Sequence, residues 1–218
     1  MLQLPVLSQY LGFAIPKPFN SVNFCLEDDA GELQAKLARM RNGRPIIGKI
    51  DLYTREGFYR GNIPVDVGNQ KFCDQVLRLC EAAQPHLVIF DNLGHLIGAD
   101  YNNSTRVHEL VEFVCRIGND FNTAVLIAAH PRKKSRVEGQ KGRTISLAKS
   151  PEEFFEECMG SSHFINSMGS LWGIERNYET ETTALLLGTQ RLTGTHTMSV
   201  AAKDEHDWFQ RVDDLAIA

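Results

Sequence analysis

Along the chain, apolar residues recur at every second position in some stretches and at every third or fourth in others, and the two periods take turns. In Ser21–Leu26, Val22, Phe24 and Leu26 alternate, which predicts a strand. Leu33, Leu37 and Met40 then share one face of a predicted helix, with Asp28 or Asp29 as its cap. Pro45–Tyr53 reads as a strand, and a turn-rich stretch follows around Gly57–Gly68. Phe72, Val76, Leu79 and Cys80 predict a helix over Gln70–Ala83. The run "HLVIFD" predicts a buried strand ending in Asp91. Val107, Leu110, Val111 and Val114 predict a helix over Ser104–Gly118, and "TAVLIAAH" another buried strand ending in His130. Before all of these, residues 1–14 read as a short apolar helix with Pro5 in its first turn, closed by Pro16 and Pro18.

The pattern changes after His130. Pro131–Lys149 is a long polar loop, and Ser150-Pro151-Glu152-Glu153 has the form of a capping box with proline at the first helical position. Four β segments close the chain: Ser170–Arg176, Thr183–Arg191, Thr195–Ala202 and Trp208–Val212. Strands alternating with helices imply an α/β fold, a mainly parallel sheet with helices on both faces. The last third implies an antiparallel β extension. The expected organisation is one domain over 1–218: a βαβ core to 130, a basic loop and short helix over 131–160, and the β extension over 161–218.

One spacing invites a nucleotide reading and fails it. "NGRPIIGKID" holds Gly43, four residues, then Gly48-Lys49, the G-x-x-x-x-G-K of a phosphate loop. The next residue is Ile50, where a magnesium-binding hydroxyl is required, and no helical period comes after it to present free N–H groups to phosphate. The stretch is expected to be a core strand.

Composition narrows the class. With 218 residues, 43% of them hydrophobic, the chain can bury a sizeable core. A net charge of −4 gives no global basic field for nucleic acid. Cys25, Cys73, Cys80, Cys115 and Cys158 form no C-x-x-C pair, so neither a zinc site nor a disulfide framework is indicated. The apolar N-terminus lacks a basic leader and a small-residue cleavage site, and no stretch is long enough to span a bilayer. A cytoplasmic location, away from membranes, is expected.

Three predicted strands end in chemistry-bearing residues: Glu27-Asp28-Asp29, Asp91-Asn92 and His130. In parallel sheets, ligands gather at those carboxyl ends. Taken singly, Glu27 and the aspartates after it read as helix caps, Asp91 as the end of a buried strand and His130 as a structural histidine. Taken together, two carboxylates and a histidine at one edge suit phosphoryl transfer. The loop after His130 carries Arg132, Lys133, Lys134, Arg136, Lys141 and Arg143 against Glu138 alone. It is either a solvated surface or a contact for a phosphate backbone. Arg191 comes after an apolar strand at the turn "GTQRLTG", as a surface residue or as a fork that reaches phosphate.

In order, "VNFCLEDDAGEL", "HLVIFDNL", "AVLIAAHPRKKS", "MGSSHFINSMGSLWGIERN" and "LLLGTQRLTG" resemble the RecA-like ATPase core of hexameric replicative helicases, of the RepA, Twinkle and DnaB kind. The resemblance runs from Val22 to Gly194. It implies that Glu27 activates the attacking water and that Asp91 is the Walker-B aspartate beside magnesium. It implies that His130 senses the γ-phosphate and that Arg132, Lys133, Lys134, Arg136, Lys141 and Arg143 contact single-stranded DNA. Arg191 matches an arginine finger of a homo-oligomer, a hexameric ring in the family; Thr189 stands where many relatives have a second cation. ATP and Mg2+ are the implied cofactors. The family's phosphate loop lies one helix before the strand of Glu27, and "GRPIIGK" lies after it. The expectation is therefore a helicase-type ATPase domain that is ATPase-deficient as it stands. A non-hydrolysing nucleic-acid-binding or assembly module and a metal-dependent α/β hydrolase built on Asp91, His130 and Glu27 are the alternatives.

Overall fold

A computed structural model describes residues 9–10, 13–14, 18–41, 48–98, 103–130, 147, 153–156, 162–176, 183–189 and 195–200. The chain divides into two compact units: Met1–Ala129 with Glu205–Asp207, and His130–Asp204 with Trp208–Ala218.

The first unit is built on four parallel strands: β3 (Ser21–Cys25), β4 (Ile50–Thr54), β5 (Leu87–Asp91) and β6 (Ala124–Ile127), in the order β4-β3-β5-β6. Helix α1 (Ala30–Arg41) joins β3 to β4, α2 (Arg55–Arg60) and α3 (Gln70–Ala83) lead to β5, and α4 (Leu93–Ile97) and α5 (Ser104–Phe121) lead to β6. The path from β3 to β4 runs one way across the sheet, and the paths to β5 and β6 run the other. Right-handed crossovers therefore put α1 on one face and α3 and α5 on the opposite face.

The register sets Phe24 beside Tyr53 and Phe90, and Phe90 beside Ile127, in one row of the pleat. That row meets α2, α3 and α5 through a chain of rings. Phe24 stacks on Phe90 at 4.9 Å, Phe58 meets Phe72 edge-on at 5.1 Å, and Phe113 closes on Phe90 at 6.3 Å. Val22, Phe24, Phe72, Val76, Val88, Phe90, Leu110 and Ile117 are fully buried. The other face is thinly covered. No residue of α1 is buried, and Leu126 of β6 is 46% exposed.

Most periodic elements stand where the sequence predicts them, but β4 begins at Ile50, so Gly48 and Lys49 of the expected strand precede it, residues 45–47 lie outside the described residues, and β6 ends at Ile127 rather than at His130. α3 has the predicted bounds, with the Asn69 side chain accepting from the backbone N–H groups of Lys71 and Phe72. The expected helix over 1–14 is not formed at residues 9–10 and 13–14, and the rest of that stretch lies outside the described residues. There β1 (Gln9–Tyr10) and β2 (Phe13–Ala14) pair antiparallel, Tyr10 with Phe13. Tyr10 and Phe13 favour strand, and Gly12 between them disfavours helix by about 1 kcal/mol. The turn-rich stretch contains α2, a helix of 6 residues capped by Thr54, too short to show a period.

In the second unit, β7 (Ser170–Arg176), β8 (Thr183–Thr189) and β9 (Thr195–Val200) form an antiparallel sheet in that order, preceded by α6 (Ser162–Ser167). Leu147, Phe155 and Leu171 form its buried cluster, with Phe154, Ile165 and Met168 against it. Gly173 makes this approach feasible, because a Cβ there would lie 2.6 Å from Leu147 Cδ1. The predicted strand Trp208–Val212 and the capping residues 150–152 lie outside the described residues.

Candidate functional site at the carboxyl edge of the parallel sheet

Strands β3 and β5 are neighbours, and the chain leaves them toward opposite faces. The carboxyl end of such a pair is the switch point where parallel sheets form a crevice. Leu26, buried after β3, anchors the strand end, and its N–H donates to the Asp91 carbonyl at 2.6 Å. Glu27 is the next residue and is exposed, and Asp91 is half-buried. Their carboxylate oxygens lie within 4.8 Å of each other. Two hard oxygen donors at this spacing fit a divalent cation such as magnesium.

The structure separates the three acids after β3. Asp29 takes the capping role: its Oδ1 accepts from the N–H groups of Gly31 at 2.7 Å and Glu32 at 2.9 Å. Asp28 pairs with Lys36 at 2.6 Å. Glu27 instead accepts a hydrogen bond of 2.6 Å from Asn92 Nδ2. Asn92 is only 8% exposed and, with Ser21, makes up the buried polar residues among those described.

Electrostatics at this edge are mixed. Burial, then Asp91 and Asp28, push the Cys25 thiol up to about 11, so the thiol stays protonated beside the acids. Burial, then the nearby Arg55, hold His95 below the usual imidazole range, while Glu27 and Asp91 pull the other way. Arg55, which opens α2, also donates to the Tyr59 hydroxyl at 2.9 Å. The sequence reading named Asn92 at the strand end but gave it no role, and it missed His95 and Arg55 as neighbours of the crevice. The available signal was position: each lies within a few residues of the carboxyl end of β4 or β5.

Lys49 lies at the opposite end. It precedes β4, its carbonyl accepts from the Ser21 N–H at 2.8 Å, and its ammonium pairs with Asp51 at 2.7 Å. Asn20 accepts from the Lys49 N–H at 3.1 Å and so ties the amino ends of the strands together. The chain runs from Lys49 straight into β4, and a five-residue strand spans roughly 16 Å. Gly48 and Lys49 therefore lie at the opposite end of the sheet from Glu27 and Asp91.

A groove of about 560 Å³ lies elsewhere, lined by Leu33, Leu52, Tyr53, Phe58 and Leu79 among others. No carboxylate lines it among the described residues. His130 is exposed and stands three positions after β6, as the first residue of the second unit. Arg132, Lys133, Lys134, Arg136, Lys141, Arg143 and Arg191 lie outside the described residues.

The four-stranded parallel sheet, flanked by helices and with two acids at its switch point, has the α/β architecture of RecA-like domains. A family model for the AAA domain matches residues 8–136, more than half of the chain, and the chain belongs to that family. Solved structures agree on the fold. The chain is similar to a solved ATPase domain at 12% identity and a TM-score of 0.59, over 88% of this chain and 74% of that one. It is similar to a DnaB-like replicative helicase, solved with regard to its interactions with primase, at 13% identity and a TM-score of 0.58. That match covers 88% of this chain and 51% of the helicase. A KaiC-like protein, PH0186 from Pyrococcus horikoshii OT3, matches at 12% identity and a TM-score of 0.51, over 88% of this chain and 76% of that one. No curated protein matches. Among the described residues no helix is long and apolar enough to cross a membrane.

Proposed function

We propose that this chain is the ATPase module of a helicase-type motor in DNA replication, acting in the cytoplasm. The observation that carries the reading is the Glu27–Asp91 pair, within 4.8 Å at the switch point of a RecA-like sheet. Bound ATP and Mg2+ would supply the electrophilic phosphoryl group and a cation that offsets its negative charge. Asp91 offers its carboxylate on the magnesium side. Glu27, exposed beside it, accepts the proton of the attacking water. His130 reports the γ-phosphate to the loop behind it. Arg132, Lys133, Lys134, Arg136, Lys141 and Arg143 hold the backbone of single-stranded DNA. Arg191 acts in the neighbouring site of a homo-oligomeric ring.

These 218 residues contain no G-x-x-x-x-G-K-[ST]. By themselves they lack that N–H cradle and its lysine, so they hold triphosphate weakly and turn it over slowly. Steady-state phosphate release measures this, with an expected rate well below about 1 per second. Turnover at that rate that disappears in Glu27→Gln would keep the site and overturn the deficiency. Turnover that survives Glu27→Gln would overturn the site. Fluorescence anisotropy with single-stranded DNA across a salt series tests the other half. Each phosphate contact removed flattens the log–log slope by about 0.7, so Lys133→Ala with Lys134→Ala should weaken and flatten binding for all sequences alike. Equal affinity and slope in that double variant would leave the loop a solvated surface. A divalent metal held tightly without nucleotide would instead favour the hydrolase alternative.

A further inference from the structure

Asn92 has a buried side chain at the edge of an otherwise exposed carboxylate, and the geometry fixes its polarity. Its Nδ2 lies 2.6 Å from Glu27 Oε2. An amide oxygen at that distance would repel the carboxylate, so the contact is a charge-assisted N–H donation. The backbone on either side of Asn92 is tied down. The Leu93 N–H donates to the Ala128 carbonyl at 2.8 Å, and the His95 N–H to the Asn92 carbonyl at 3.2 Å. Leu93, the next residue, is 1% exposed, and Leu96 and Ile97 of the same short helix are buried. The amide is therefore presented from a fixed base to an acid at the surface.

We propose that Asn92 is a positioning residue for Glu27. It holds one carboxylate oxygen, so that the other is kept toward the crevice beside Asp91. This rests on the reading of Glu27 as the group that accepts the proton of water. An acid with three rotatable bonds samples many orientations, and fixing one of them is the entropic part of general-base catalysis.

The test reads the order of the Glu27 side chain and needs no turnover. In the 13C- and 15N-labelled protein, one Asn92 amide proton should resonate downfield and exchange slowly with water. In Glu27→Ala, which alters an exposed residue, that resonance should return toward the position of a free amide. In Asn92→Leu, and in Asn92→Ala should the leucine variant fold poorly, 13C relaxation should show Glu27 losing its order. Val76→Ala, a buried truncation in α3, should leave Glu27 ordered and so separates positioning from general loss of stability. An Asn92 amide unmoved by Glu27→Ala, or a Glu27 equally ordered in wild type and in the Asn92 variants, would overturn the proposal. Failure of the ATPase reading appears in the phosphate-release assay, and failure of this inference appears in the NMR.

Discussion

The two faces of the parallel sheet use similar residues and reach different outcomes. On the face under α3 and α5, Val22, Phe24, Val88 and Phe90 are fully buried. On the other face, Leu52 and Ile89 stay half-buried, and Leu126 is 46% exposed. The sequence of β6, Ala124-Val125-Leu126-Ile127, is as apolar as that of β5. An apolar run thus records the capacity for two-sided burial, and the number of helices laid on each face decides how much of it is used.

That contrast can be broken by substitution, and the largest effect belongs to the ring cluster. Phe24 touches Tyr53, Phe58 and Phe90, so Phe24→Ala should cost about 3–5 kcal/mol in denaturant unfolding. A loss below about 1 kcal/mol would show that the covered face is not the core of this unit. At the edge of the same face, Arg106 of α5 bonds Asp66 and Glu109, each at 3.0 Å. A Cβ on Gly68 would collide with its Nη1. Gly68→Ala should therefore displace the guanidinium and cost about 1–2 kcal/mol, in the usual range for a single substitution. In the Arg106→Ala background Gly68→Ala should cost much less, because the clash is gone.

The thin face should respond less. Leu37 of α1 is only half-buried, so Leu37→Ala should cost below about 1 kcal/mol, far less than a fully buried leucine. A loss as large as that of Phe24→Ala would mean that the two faces carry equal weight. The smallest effect is one of pH. Burial and Arg55 lower the His95 pKa in the fold, so the unfolded chain binds the proton more readily. This contribution to stability is complete above the ordinary histidine pKa of about 6.5 and is lost as the pH falls through the lowered value. His95→Gln should flatten the fall of the melting temperature on the acid side of pH 6.5, and an unchanged profile would remove His95 from the balance.

The elements with strong periods were legible because their signal is local. Phe72, Val76 and Cys80 recur along one face of α3, and all three are buried. Val22 and Phe24 alternate in β3, and both are buried. α2 and α4 escaped the reading, because 6 and 5 residues are too few for a period to show. The pairing of β1 with β2 escaped because two-residue strands carry little pattern of their own. The phosphate-loop spacing was set aside on its missing hydroxyl, and Lys49 stands before β4, at the end of the sheet away from Glu27.

By itself the sequence determined the parallel α/β order, the helix bounds at Gln70–Ala83 and the placing of Glu27 and Asp91 after apolar strands. Each comes from residues close together in the chain, where side-chain period and backbone capping act. Which of three consecutive acids would cap α1 and which would face the crevice was decided only by tertiary structure. Asp29 reaches N–H groups two and three residues ahead, whereas Glu27 meets Asn92, 65 positions away. That meeting depends on β3 and β5 pairing in register, Cys25 beside Asp91. Register comes from packing the Phe24–Phe90 row against α3 and α5, and no local pattern encodes which distant residues such packing brings together.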